Sequence, residues 1–129
     1  MHTEGPFLVP TQESGRNLMM RQIDGEVVML NMLKFKAVAD YSLSPELAPE
    51  SEITGAQAFQ KYIEHTLPFL HESGGELVFM GEGGSFLIGP LAEIWDMVLL
   101  VRQKSVQSFV EFASHEAYLK VLGHRTAAL

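Results

Sequence analysis

Two short runs constrain most of what this chain can become. Residues 26–35 read EVVMLNMLKF and residues 94–103 read IWDMVLLVRQ. Each has the length of a strand, is rich in aliphatic residues, and is apolar at both parities. In the first run, Val27, Met29 and Leu33 fall on one face, and Val28, Leu30 and Met32 on the other. A strand with one wet face alternates polar with apolar, so both faces of these strands need cover. Two helical patterns can supply some of it. Residues 56–72 place Phe59, Tyr62, Ile63, Thr66 and Leu70 on one side. A second helix, capped by Ser105, spaces Val106, Phe109, Val110 and Ala113 at i, i+3, i+4 and i+7. Right-handed crossovers put both helices on the same side of a sheet. The other face is left to a short N-terminal helix or to a second copy of the sheet, and symmetric pairing is the common solution. The expected class is α+β with an antiparallel sheet, in a homodimer paired through its sheet faces.

The remaining segments fit one domain, residues 25–129, preceded by an arm and short helix at 1–24. Thr11 is expected to cap that helix, which runs to about Gln22 with Leu18, Met19 and Ile23 on its buried side. Residues 36–54 hold two prolines and several serines and read as a long functional or mobile loop. Pro68 is expected to kink the long helix, since it has no N–H for the Glu64 carbonyl. ELVFMGE, residues 76–82, reads as a strand that turns or bulges at Gly83-Gly84. Ser114 is expected to cap a last helix, ending near Leu122 and stopped by Gly123.

Composition excludes several classes of function. The formal charge is −7, and an acidic surface repels phosphate backbones, so no nucleic-acid partner is expected. The absence of cysteine removes thiolate metal sites and thiol nucleophiles. The opening MHTEGPFLVPTQE lacks a basic stretch followed by an apolar core, and no apolar run approaches the roughly 20 residues that span a bilayer. A soluble cytoplasmic protein, without membrane contact, is expected. His65 and His71 are six apart and fall on different helix faces, so neither a metal site nor a cofactor is expected.

The runs VVMLNMLKFK, TGAQAFQKYIEHTLPFLHESGGELVFMGE, IWDMVLLVRQKSVQSFVEF and HEAYLKVLGHRTAAL together cover residues 25–129. They resemble the domain-of-unknown-function family numbered 1330, within the dimeric α/β-barrel superfamily. The most telling pieces are the strand end at Asn31 to Phe35, the helix start at Gly55 to Tyr62, the Trp95-Asp96 pair, and His124-Arg125-Thr126-Ala127. The resemblance implies a ferredoxin-like βαββαβ fold dimerised through its sheets, with no settled activity. Members of that family normally continue past the last stretch into a final strand beside the first. Here four residues follow Arg125, so that strand is expected to be short or missing, leaving an edge to cover. Relatives in the wider superfamily include cofactor-free monooxygenases, lactone isomerases and haem-binding enzymes.

Several side chains have the chemistry of a site. Tyr62 and His65 are three apart on one helix, and a phenol with an imidazole can move a proton at neutral pH. The alternative is a core-edge tyrosine beside a solvated histidine. Asp96 and Arg102 share a parity with Val98 and Leu100, so they can bracket a pocket or simply mark the wet ends of a strand. Arg102 has the planar fork that suits a carboxylate substrate. Asn31, an amide in a central strand, must find hydrogen bonds from a ligand or from the long loop. His124 and Arg125 either complement a helix end or supply a base and an anion site. Lys34 and Tyr41 flank the long loop and can close over a ligand. These residues suggest a small cofactor-independent enzyme, of isomerase or monooxygenase type, acting on a small, partly apolar molecule. The alternatives are a non-catalytic binding or regulatory module, or a haem protein with His65 as axial ligand.

Overall fold

The computed structural model describes residues 7–129. The first six residues of the expected arm lie outside them. Helix α1 (Gln12–Met20) begins in a capping box: Thr11 Oγ1 accepts from the Ser14 N–H, and the Ser14 hydroxyl accepts from the Thr11 N–H. None of its residues is buried, which corrects the expected apolar side. Met19 and Met20 are exposed, and Leu18 and Ile23 are only half-buried.

Strand β1 (Val27–Leu33) leads through a long loop, with a 3-10 turn at Pro45–Leu47, into helix α2 (Gly55–Glu72). Strands β2 (Glu76–Glu82) and β3 (Met97–Gln103) follow, then α3 (Val106–Ala113), α4 (Glu116–Val121) and α5 (Gly123–Ala128). The sheet is antiparallel throughout, in the order β1-β3-β2. An α+β architecture with three antiparallel strands is therefore present, compatible with a ferredoxin-like frame. Among the described residues no strand flanks the outer edge of β1, because residues 123–128 are helical and pack on α2. No helix among them is long and apolar enough to cross a membrane.

The two sheet faces fare differently. Val27, Met29, Asn31 and Leu33 share a face with Leu99, Val101 and Gln103, and this face meets the helices. Leu33 and Leu99 are buried there with Phe59, Tyr62 and Ile63 of α2, Tyr118 of α4, and Ala127 and Ala128 of α5. On the opposite face the register aligns Leu30 with Leu100 and Leu100 with Phe79, one apolar row across all three strands. This row is open to solvent: Leu30 is 60 % and Phe79 52 % exposed, and Val28 and Met32 flank them, also exposed. The helices cover one face, as the apolar patterning requires, and the second face stands bare in a single copy.

Several local expectations change. The strand irregularity lies inside β2, between Leu77 and Phe79, rather than at Gly83-Gly84. Gly83 instead passes so close to the Trp95 carbonyl that no Cβ fits. Helix α2 runs through Pro68 unbroken. The cap of α4 is His115, whose Nδ1 accepts from the Ala117 N–H, while the Ser114 hydroxyl turns back to the Val110 carbonyl and closes α3. Helix α4 ends where expected, with Leu122 as its C-cap, but Gly123 then opens a further short helix, at a position where a side chain would strike Ser44 of the long loop. That loop is tied down rather than loose. The Lys36 N–H donates to the Ala128 carbonyl at 2.8 Å, Asp40 N–H to Ala127 at 2.9 Å, and Ala39 N–H to Ile53 at 2.9 Å.

Candidate functional site

Helix α2 sets the geometry of the site. Thr54 and Gln57 form a capping box at its start, and Gly55 lets that end approach the Lys36 and Ala128 carbonyls. The helix then lies over the covered sheet face without filling the space above it. A cavity of about 530 Å³ remains between α2, β3, α3 and α4, with the segment Leu8–Pro10 along its rim. Its walls are mostly apolar, including Phe59, Ile63, Leu99, Val101 and Phe112.

Six polar side chains line it: Asn31, Tyr62, Thr66, Gln103, Tyr118 and Arg125. The hydroxyls of Tyr62 and Tyr118 share a hydrogen bond of 2.8 Å. Burial, reinforced by the neighbouring Tyr118, raises the pKa of Tyr62 far above its ordinary value, so this phenol stays protonated and remains a donor. The guanidinium of Arg125 donates from Nη1 to the Leu8 carbonyl at 2.6 Å. Asn31 makes one long bond, from Nδ2 to the Met29 carbonyl at 3.4 Å.

Two polar atoms in this lining have no partner: Thr66 Oγ1 and Gln103 Nε2. Gln103 is wholly buried, and Thr66 is 6 % exposed. The far side of the Gln103 amide is weakly held, its Oε1 accepting from the Ser73 hydroxyl at 3.4 Å. Gly75 makes room for the amide, since a Cβ there would lie 2.9 Å from Oε1 and 2.6 Å from Leu70 Cδ1. A buried polar group left unpaired costs about 1–3 kcal/mol, so two such groups in one cavity are a feature to explain.

A second cluster lies outside this lining. The Tyr41 hydroxyl is 2.7 Å from His124 Nδ1, and the His124 ring stacks on that of His65, with centroids 5.4 Å apart and planes 8° from parallel. Burial, then the charges of His65 and Lys61, lower the pKa of His124. Burial raises that of Tyr41. With the imidazole neutral and the phenol protonated, Tyr41 donates to Nδ1 in the tautomer that carries its hydrogen on Nε2.

The expected site thus divides. Asn31, Tyr62 and Arg125 meet at the cavity, and Tyr41, His65 and His124 meet elsewhere. Tyr41 pins the long loop to α5 rather than closing over the cavity. The other candidates make contacts within the fold. The Asp96 carboxylate accepts from the Phe35 N–H at 2.7 Å and fixes the end of β1 against the entry to β3. Arg102 lies between Glu26 and Glu76, at 2.6 and 3.0 Å, so its fork is already occupied. The Lys34 ammonium sits 4.8 Å from the Trp95 ring centroid, a cation–π contact. Both residues border a second cavity of about 550 Å³ along the outer edge of β1.

Sequence reasoning missed Gln103, Tyr118 and the polar role of Thr66. Gln103 was legible in principle, since it shares the parity of Leu99 and Val101 and so ends the covered row of β3. Tyr118 stands in a six-residue helix with no periodic signal of its own.

No protein-family model matches the chain, the family numbered 1330 included, and no curated protein does. Solved structures do match. The methylated RPA0582 protein is 31 % identical, over 95 % of this chain and 86 % of that one, with a TM-score of 0.81. The RPA0582 protein of unknown function from Rhodopseudomonas palustris, a structural genomics target, is 31 % identical over 94 % of this chain and 87 % of that one, with a TM-score of 0.77. At that identity and coverage, the chain belongs to the family of the RPA0582 protein, whose function is unknown.

Proposed function

We propose that this protein is a homodimeric binding module for a small, largely apolar molecule, held in the cavity between α2 and the covered sheet face. The observation that carries the reading is the pair of unpartnered buried groups, Thr66 Oγ1 and Gln103 Nε2, on residues that line a mostly apolar chamber of about 530 Å³. A chamber of that size with a few convergent polar groups is the common form of a small-molecule site. The dimer part of the reading is a ferredoxin-like α/β barrel in which a second copy covers the row Leu30–Leu100–Phe79. It is supported by the bareness of that face, which α1 leaves uncovered.

Binding is preferred to acid–base turnover because, among the described residues, no Asp, Glu or His lines the chamber. A general base must reach its proton within hydrogen-bond distance or through one water. Tyr62, its pKa raised by burial, is a donor there and not a base. The same lining argues against haem in this cavity, since no imidazole is placed to ligate an iron.

Titration with octan-2-one, a small apolar ketone, followed by amide chemical shifts, tests the reading. Shifts are expected to concentrate on α2, β3 and α3, and to vanish in Ala113→Phe, which fills the chamber from its α3 wall. An absence of shifts at millimolar ketone, or shifts confined to the open sheet face, would overturn it.

A further inference from the structure

The arrangement of polar groups along the chamber defines the class of ligand more closely, on the basis of the binding reading above. Asn31 and Arg125 line both cavities and therefore stand at the boundary between them. Arg125 is fixed there by its bond to the Leu8 carbonyl, which uses one of the five guanidinium donors. Among the described residues neither cavity is lined by an Asp or a Glu side chain. Tyr62 adjoins it, close enough for the Arg125 charge to act on the phenol. The Tyr62–Tyr118 pair holds two hydroxyl protons and uses one between its members, with the Thr66 hydroxyl beside Tyr62.

From Tyr62, the cavity-facing side of α2 continues through Thr66 to Leu70, two turns or roughly 12 Å along the helix. Gln103 lies beside Leu70, because both crowd the position of Gly75. The orphaned Gln103 amide thus marks the far end of a chamber whose near end is the guanidinium, with the Thr66 hydroxyl between them, one turn from Tyr62. Leu99, Val101 and Ile63 line it with hydrocarbon.

We infer that the chamber takes a small monocarboxylate with an apolar body and a hydrogen-bond acceptor at its far end. The carboxylate lies on Arg125 and Asn31 beside the tyrosine pair, and the acceptor faces Gln103 Nε2. A medium-chain keto acid has both groups at about this spacing. Charge-assisted bonds to a guanidinium are roughly twice as strong as neutral ones, so the carboxylate end dominates affinity.

Calorimetric titration with three probes tests this: 7-oxooctanoate, octanoate and octan-2-one. The keto acid is expected to bind tightest. Arg125→Gln should weaken both acids about tenfold or more and leave octan-2-one unchanged. Gln103→Leu should weaken 7-oxooctanoate several-fold while sparing octanoate; Gln103→Met, which keeps the side-chain length, probes the same end if the first variant does not fold. If octan-2-one binds as tightly as the acids, or Arg125→Gln leaves their affinities unchanged, the carboxylate inference fails and the binding reading survives. If none of the three binds at millimolar concentration, both fail.

Discussion

Leu30→Glu is the sharpest perturbation of the pairing surface. Leu30 sits in the central row of the open sheet face and is 60 % exposed in one copy. Burying a whole leucine side chain is worth about 1.5–3 kcal/mol. Covering the remaining three-fifths is therefore worth about 1–2 kcal/mol, and two-fold symmetry doubles this to about 2–4 kcal/mol per dimer. The glutamate removes that gain and places a carboxylate against apolar neighbours. Dimer dissociation should strengthen about 30- to 1,000-fold. Folding of one copy should survive, because the side chain already meets water. Sedimentation equilibrium across a hundredfold range of concentration measures the shift. Leu43→Glu, at an 82 % exposed apolar position on the long loop, is the control and should leave the dimer unchanged. A wild type that stays monomeric at tens of micromolar, or two variants that behave alike, would refute the pairing argument.

Two further outcomes follow from local geometry. Gly55→Ala should destabilise the fold by about 1–3 kcal/mol, as overpacking does, because its Cβ would meet the Ala128 carbonyl at 2.7 Å and crowd the Lys36 carbonyl; chemical denaturation that shows no loss would contradict the close approach. Burial, His65 and Lys61 hold the His124 pKa below its ordinary 6.5, so the unfolded chain takes up the proton more readily than the folded one. The stability tied to this group is fully present above about pH 6.5 and is lost as pH falls through 6.5 towards the lowered folded value. Denaturation midpoints at pH 7.5 and 5.5 should therefore differ less in His124→Gln than in the wild type, and equal differences would rule the cluster out as their source.

The layered architecture was legible because it depends on period and parity alone. Runs apolar at both parities, with helices enough for one side, predict a sheet with one face left over, and the open row on β1, β3 and β2 is that face. Helix ends were legible where a hydroxyl does the capping, as at Thr11 and Ser105. They were misread where tertiary contact decides. Gly123 reads as a stop, and α4 does end before it, but α5 opens there, and the glycine itself is required by the close approach of the long loop. Asp96 and Arg102 illustrate the same limit. Parity puts them in one row, but the row does not reveal that Asp96 receives a backbone N–H from β1 or that two glutamates flank Arg102.

The division of the candidate site has a simple cause in helix geometry. An α-helix turns about 100° per residue. Measured from Tyr62, Thr66 lies about 40° to one side and Leu70 about 80°, whereas His65 lies about 60° to the other. Residues three apart and four apart are both neighbours of Tyr62, but they lie on opposite flanks of it. The chamber occupies the flank of Thr66 and Leu70, and His65 is left outside. The same split recurs on α5, where Arg125 follows His124 by one residue and so by about 100°. Arg125 enters the chamber lining, and His124 turns to stack on His65. Because α2 and α5 pack directly on each other, one flank of the pair carries the donors of the chamber and the other carries the imidazoles. In this arrangement Tyr62 finds its hydroxyl partner in Tyr118, and His65 its ring partner in His124.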